Sequence, residues 1–301
     1  MIIPRKLIPG SKIRMVSPAG KCTAEEILPA VEWLSARGYR VETGKNHLST
    51  HFQFAGTDQE RLADIQEALD DPEVSAIICT RGGYGTLRLI DQLNFSRFRR
   101  HPKWVVGYSD ITVLHNRLQL SGFASVHGAM CRSFFHEKDI ISEGALSLLD
   151  LLQGKKPGYD FPASQNNRRG CAKAELTGGN LSLLYSLTGT PYDVDWAGKI
   201  LFLEDISEYL YHIDRMMVSL RLAGKLKYLA GLIIGQFTDV KDNEDPFGSS
   251  VEAIILDAVR DYDFPVCFGF PAGHEQPNLA LRLGSEYKLE INGKNCSLKL
   301  I

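Results

Sequence analysis

Val74-Ser-Ala-Ile-Ile-Cys-Thr-Arg-Gly-Gly-Tyr-Gly85 and Trp104-Val-Val-Gly-Tyr-Ser-Asp110 decide how this chain folds. Each opens on a short apolar run without polar alternation, the pattern of a strand buried on both faces. Each then breaks into glycine and polar residues ahead of a segment of helical character. The same rhythm runs outward in both directions. Ile13 to Val16 reads as a strand, and Thr23-Ala-Glu-Glu26 is a capping box opening a helix with Ile27, Val31 and Leu34 on one face before Gly38 ends it. Thr57-Asp-Gln-Glu60 is a second box, opening a helix that carries Leu62, Ile65 and Leu69. Predicted helices over 86–93 and 111–121 and a strand over 123–126 continue the alternation. A βαβα rhythm predicts an α/β domain with a parallel sheet covered by helices. Ligand sites in such sheets lie beyond the carboxyl ends of the strands, where Thr80–Gly85 and Ser109 both fall.

The rhythm is interrupted at Gly154-Lys-Lys-Pro-Gly-Tyr-Asp-Phe-Pro-Ala-Ser-Gln-Asn-Asn-Arg-Arg-Gly170, rich in proline, glycine and polar residues without periodicity. This predicts an N-terminal domain over 1–153, a linker over 154–171 and a second domain over 172–301. The second half reads as strand 172–176, helix 180–187, strand 199–203, helix 213–222 and strand 231–234. It closes on an alternating pair, Tyr287–Ile291 and Ser297–Leu300, around a two-residue turn at Asn292-Gly293. The fold class expected is therefore an N-terminal parallel-sheet α/β domain followed by a smaller mixed α+β domain.

Composition narrows the function. With 34 Lys+Arg against 36 Asp+Glu the formal charge is −2, which gives no electrostatic reason to expect nucleic acid or an anionic membrane as partner. Pro4, Arg5 and Lys6 interrupt the region where a signal peptide needs an unbroken apolar run, and no later run reaches the ~20 residues of a spanning helix. A cytoplasmic protein acting on a small molecule or peptide is the expectation. Six scattered cysteines form no Cys-x-x-Cys pair, so neither a disulfide framework nor a zinc site is expected, and the thiols read as buried and reduced.

Ser109 stands where strand Trp104–Val106 turns into the next helix. Such a turn holds a hydroxyl clear of the sheet, with the free N–H groups of the helix's first turn beside it. Two readings stand on the residues alone: a nucleophile, or a Ser-Asp helix cap. The usual elbow, Gly-x-Ser-x-Gly, would require glycine at Ile111. The loop Arg81-Gly-Gly-Tyr-Gly85 lacks the third glycine of the dinucleotide fingerprint, where Arg88 stands, and the Gly-Lys-Ser/Thr of a P-loop. It reads as a tight turn, or as the source of a backbone donor such as Gly83 N–H for an oxyanion. A serine needs a base, and a base needs an orienter. His127 follows a strand, His115 lies on a helix face and His274 sits in the irregular loop Gly269-Phe-Pro-Ala-Gly-His-Glu-Gln-Pro-Asn278. Glu204 closes an apolar strand, where a carboxylate needs a partner: a histidine, or a structural cation such as Arg215 or Lys199. His274-Glu275 is not a His-Glu-x-x-His zinc motif, since Asn278 takes the second position.

Taken in order, Arg81-Gly-Gly-Tyr-Gly85, Gly107-Tyr-Ser-Asp110, Gly178-Gly-Asn-Leu181, Leu203-Glu-Asp205 and Gly273-His-Glu275 resemble the LD-carboxypeptidase family of serine peptidases, which includes murein tetrapeptide carboxypeptidases and microcin C immunity hydrolases. The resemblance runs from Val16-Ser-Pro-Ala-Gly20 to the C-terminal strands. It implies a triad of Ser109 as nucleophile, His274 as general base and Glu204 as its orienter, with Gly83 and Asp110 N–H groups as the oxyanion hole. It further implies a site closing across two domains, a homodimer, no metal or nucleotide cofactor, and removal of the terminal D-alanine of murein tetrapeptides during peptidoglycan recycling. An exopeptidase also recognises a free carboxylate, for which Arg81, Arg88 and Arg132 are candidates. The alternative substrate within the family is an aminoacyl-nucleotide toxin, with Tyr209 and Tyr211 as a platform for the base. Outside the family, the glycine loop of a non-catalytic protein would hold a nucleotide or anion.

Overall fold

The computed structural model describes residues 1–137 and 140–301. It divides into two compact units, residues 1–155 with 277–282, and residues 156–276 with 283–301.

The first unit runs β1 (Lys12–Val16), α1 (Ala24–Ser35), β2 (Arg40–Thr43), α2 (Asp58–Asp70), β3 (Val74–Cys79), β4 (Trp104–Gly107), α3 (Thr112–Leu120), β5 (Ser125–His127), a short ladder of β6 (Phe135–Glu137) with β7 (Ile140–Ile141), and α4 (Glu143–Leu152). Its sheet is parallel in the order β5-β4-β3-β1-β2. Side chains alternate across a strand, so each strand feeds two cores. Ile13, Met15, Ala76, Ile78, Trp104 and Val106 pack with Ile27 and Leu34 of α1 and Leu148 and Leu152 of α4. Ile77, Cys79 and Val105 face the other way, onto Ile65 and Leu69 of α2 and Leu114 and Leu118 of α3. Helices on both faces are why these strands carry no polar alternation. Strand order reverses between β1 and β3, and the crevice at such a switch point is the ordinary ligand site of an open α/β sheet. The chain ends leaving β1 and β3 meet there, with Gly20 N–H donating to the Gly82 carbonyl at 3.0 Å.

The second unit runs β8 (Gly158–Pro162), β9 (Gly170–Asn180), α5 (Leu181–Leu187), β10 (Ile200–Ile206), α6 (Leu210–Leu222), β11 (Gly231–Thr238), α7 (Val251–Ala258) and β12 (Val266–Phe268). After β13 (Leu281–Leu283), which extends the first sheet beside β5, come β14 (Glu286–Ile291) and β15 (Asn295–Leu300). The sheet order is β12-β11-β10-β9-β14-β15-β8, with β12 to β9 parallel and β14, β15 and β8 antiparallel. Leu201, Leu203, Leu232, Ile234 and Val266 pack under Leu184, Ile213, Met217 and Ile255 of α5, α6 and α7.

Several expectations change. The helix expected over 86–93 is two short 3₁₀ turns, Thr86–Arg88 and Ile90–Gln92. Gly85 precedes them at φ +138° with no side chain to cap, and so short a segment does not nucleate an α-helix on its own. The stretch read as a linker holds β8 and the start of β9. β8 is an edge strand paired only with β15, a partner far along the chain that local composition does not reveal. The final turn centres on Gly293-Lys294 rather than Asn292-Gly293. Asn292 N–H donates to the Asn295 carbonyl, and the Asn292 side chain accepts from Lys294 and Asn295 N–H groups at 2.9 and 2.8 Å, an Asx turn that shifts the centre by one residue. All six thiols are free, but Cys171 is exposed while the other five are buried. No helix among the described residues is long and apolar enough to cross a membrane.

The box at Thr57 is closed both ways, with Thr57 N–H on Glu60 Oε2 at 2.8 Å and Glu60 N–H on Thr57 Oγ1 at 3.3 Å. Thr57→Ala is expected to cost about 1 kcal/mol, read from the midpoint and slope of urea unfolding.

Candidate active site

In the first unit the decisive residue is Ser109, whose φ of +61° puts an L-amino acid in the left-handed region. Such a residue costs of order 1–3 kcal/mol and persists only where its surroundings enforce it. They do so by removing two side chains. A Cβ on Gly107 would lie 2.7 Å from Ile111 Cγ1, and one on Gly82 would lie 2.8 Å from Ser109 Cβ and 2.9 Å from its Oγ. The small residue of the elbow is thus displaced: Ile111 is tolerated because Gly107 yields the space. The 3₁₀ turn Ser109–Ile111 that leads into α3 has Tyr108 at its N-cap and no side-chain cap bond, so the capping reading of Ser109 is set aside.

Asp110 does cap backbone, but of another segment. Its buried carboxylate accepts Thr86 N–H at 2.8 Å, tying the end of the glycine loop to the elbow. Burial raises its pKa against hydrogen bonds from Thr86 and Gly85 and the charge of Arg61. Gly83, at φ +109°, lies in the same loop. His115 lies on α3, as expected, and is buried. Its Nε2 meets the Gly107 carbonyl and its Nδ1 the Ser125 hydroxyl, each at 2.9 Å. Burial pushes its pKa down to about 4, so a neutral ring pins the strand end just before the elbow. His127 ends β5, its ring 5.9 Å from that of Tyr108.

The three candidate arginines differ. Arg88 is clasped by Asp58, with Nε at 3.1 and 2.9 Å from the two carboxylate oxygens, and Arg132 Nε meets Glu26 at 3.1 Å. Arg81 is held by a backbone carbonyl instead, its Nη1 donating to Lys21 O at 2.9 Å.

In the second unit Glu204 is fully buried in β10, and His274 Nδ1 lies 2.7 Å from its Oε2. Nδ1–H donating to a carboxylate fixes the tautomer in which Nε2 is the basic nitrogen. Burial lowers the His274 pKa, but the charge and hydrogen bond of Glu204, with the charge of Asp205, outweigh it and the net shift is upward. The alternative cations are occupied elsewhere: Lys199 pairs with Glu175, and Arg215 lies over the Tyr211 ring. Asp205 turns to the other face and accepts Asn180 Nδ2 and Ser182 N–H, each at 2.9 Å. Burial and then the charge of Glu204 push it up to about 7. Gly178 explains the motif beside it, since a Cβ there would lie 1.9 Å from the Phe202 carbonyl. The buried carboxylates of Asp205 and Asp110 are polar groups whose structural roles the sequence does not reveal. The signal was present for Asp205, in the Leu203-Glu-Asp205 motif, but its burial was not. Among the described residues no cluster of three or more His, Cys, Asp or Glu could hold a metal.

Residues 13–128 match the LD-carboxypeptidase N-terminal domain, and residues 173–289 match the LD-carboxypeptidase C-terminal domain. A probable murein peptide carboxypeptidase of Bacillus subtilis is 36% identical, covering 98% of this chain and 94% of that protein. The chain belongs to the LD-carboxypeptidase family. It is accordingly a serine-type peptidase with the α/β fold of that family. The crystal structure of muramoyltetrapeptide carboxypeptidase from Oxalobacter formigenes superposes on this family member with a TM-score of 0.87 at 30% identity, covering 96% of this chain and 98% of that one. The microcin C7 self-immunity protein MccF in complex with aspartyl sulfamoyl adenosine shares the fold, with a TM-score of 0.88 at 22% identity and coverage of 99% and 98%.

The raised pKa of His274 in this LD-carboxypeptidase family member makes a signed prediction. Its ring should titrate above the ordinary histidine value of about 6.5. In Glu204→Gln the attraction to the carboxylate is lost while the burial remains, so the midpoint should fall below that value. Ring-proton NMR titration reads both.

Proposed function

We propose that this enzyme is an LD-carboxypeptidase that removes the terminal D-alanine from a murein tetrapeptide, acting in the cytoplasm as a homodimer. The observation that carries a serine mechanism is the left-handed backbone of Ser109, a strain that nothing in helix capping requires. In the proposed roles Ser109 is the nucleophile, His274 the base and Glu204 the group that holds the imidazole. The Ser109 hydroxyl loses its proton to His274 Nε2 as Oγ attacks the carbonyl of the L-configured residue before D-alanine. The Gly83 and Asp110 N–H groups receive the oxyanion. His274 returns the proton to the departing amine of D-alanine, and water attacks the acyl-enzyme by the reverse sequence. Of the arginines, Arg81 suits the free carboxylate best, because Arg88 and Arg132 already face carboxylates.

A toxin-cleaving role has one feature in its favour, the half-exposed rings of Tyr209 and Tyr211 with centroids 5.5 Å apart. The name of the Bacillus subtilis relative at 36% identity, a probable murein peptide carboxypeptidase, favours the murein peptide. D-Alanine release from a murein tetrapeptide should fall on the order of 10⁴-fold or more in Ser109→Ala and in His274→Ala, and by less in Glu204→Gln. Near-wild-type turnover in the serine variant overturns the mechanism. Faster turnover of an aminoacyl sulfamoyl adenosine than of the tetrapeptide by the wild-type enzyme overturns the substrate.

A further inference from the structure

β10 and β11 are in register from Ile200 to Leu203, after which the pairing slips: Leu203 faces Ile234, but Asp205 faces Phe237. Two residues of β11, Gly235 and Gln236, therefore stand against the single residue Glu204, a β-bulge of the kind that re-aims side chains next to functional sites. The loop bearing His274 is tied to this bulge at successive points. Phe270 N–H donates to the Ile234 carbonyl at 3.1 Å, and Gln236 N–H donates to the Ala272 carbonyl at 2.9 Å. Glu275 N–H donates to Gln236 Oε1 at 2.8 Å. Gln236 thus grips the loop on both sides of His274, by its backbone before the histidine and by its side chain after it. The glycines at this junction are required by the approach. A Cβ on Gly235 would lie 2.4 Å from the Ala272 carbonyl, and one on Gly273 would lie 2.8 Å from Gln236 Cβ.

We infer that Gln236 is a positioning residue of the peptidase: the bulge that carries it sets His274 against Glu204. The inference rests on the role proposed above for His274. The neighbouring strand that supplies the carboxylate also sets the bulge, so one local pairing defect fixes both partners of the pair. A neutral amide oxygen is suited to this task, since it accepts the Glu275 N–H without adding charge beside an imidazole that already faces Glu204 and feels the more distant charge of Asp205 from the other face of β10, with Glu275 the next residue on its own loop.

The consequence reaches the pH profile. A general base works when neutral, so kcat/KM rises as pH passes through the His274 pKa of the free enzyme. Glu204 holds that pKa above the ordinary value; a loosened loop weakens the pairing and lets it fall. In Gln236→Met, which keeps the length and removes the acceptor, kcat for D-alanine release should drop at least about tenfold, because small misplacements of a catalytic group cost up to about 10²-fold. The acidic limb of kcat/KM should move to lower pH. Gln236→Asn, whose amide is drawn back by one methylene, should show the same signature and serves if the methionine variant does not fold. Gln236→Glu keeps the acceptor and should retain kcat within about threefold, with the limb unmoved or raised, since added negative charge favours the imidazolium. A methionine or asparagine variant with an unmoved limb, whether its kcat is wild-type or reduced, overturns the proposal, because a merely structural role would lower folded protein without shifting a titration. His274→Ala serves as the control: wild-type turnover there overturns the triad reading instead, whatever Gln236 does.

Discussion

The first unit is organised around a backbone angle that its own residue disfavours. Ser109 at φ +61° is strained, and an isolated strand-to-helix turn of this sequence would relax it. What holds it is exclusion of volume. Gly107 beneath Ile111 and Gly82 against Ser109 leave room that any Cβ would fill. Around them, neutral polar contacts fix the neighbouring backbone: His115 on the Gly107 carbonyl, and Gly20 N–H on the Gly82 carbonyl. The Asp110 carboxylate adds a third tie through Thr86 N–H. The parallel sheet provides the frame for these contacts, because a reversal of strand order between β1 and β3 brings two chain ends together over one crevice.

The second unit solves a different problem, the burial of charge. Glu204 has no exposure, and an isolated carboxylate there would be prohibitively costly. His274 provides one partner, its Nδ1 lying 2.7 Å from the Glu204 carboxylate. Asp205, one residue on, is kept apart by the alternation of a strand and is met by Asn180 and the first turn of α5, so two adjacent carboxylates serve different faces. Even with those bonds, burial and the charge of Glu204 push the Asp205 pKa up to about 7. The bulge in β11 belongs to the same economy of space. It brings a neutral amide, not another charge, to the loop that carries the imidazole.

Much of the fold was legible residue by residue. Buried strands such as Val74–Cys79 and capped helices such as Asp58–Asp70 announce themselves by local composition and by a box of two side chains. β8 was not legible, because an edge strand of Gly-Tyr-Asp-Phe-Pro has no pattern until β15 arrives to pair with it. The two 3₁₀ turns after Gly85 were not legible either, since their apolar residues have helical spacing and only the missing cap and the tertiary contacts prevent the helix. Cys171 stands opposite Glu290 of β14 with its thiol exposed, a placement that composition does not encode.

At the candidate site the division is sharper. Sequence alone determined which residues have the right chemistry, namely a serine at a strand end, a histidine in an irregular loop, a carboxylate closing an apolar run, and glycines in a motif order that carries the family. It left open whether Ser109 caps a helix, and which cation or imidazole Glu204 meets. Tertiary structure decided both. The sign of φ at Ser109 depends on the space around Gly82 and Gly107, contributed by the loop after β3 and by the end of β4. The partner of Glu204 depends on a register slip that aims a loop seventy residues further along the chain. Chemistry is a property of single side chains and can be read from their names, whereas strain, burial and pairing are properties of distances between residues far apart in sequence.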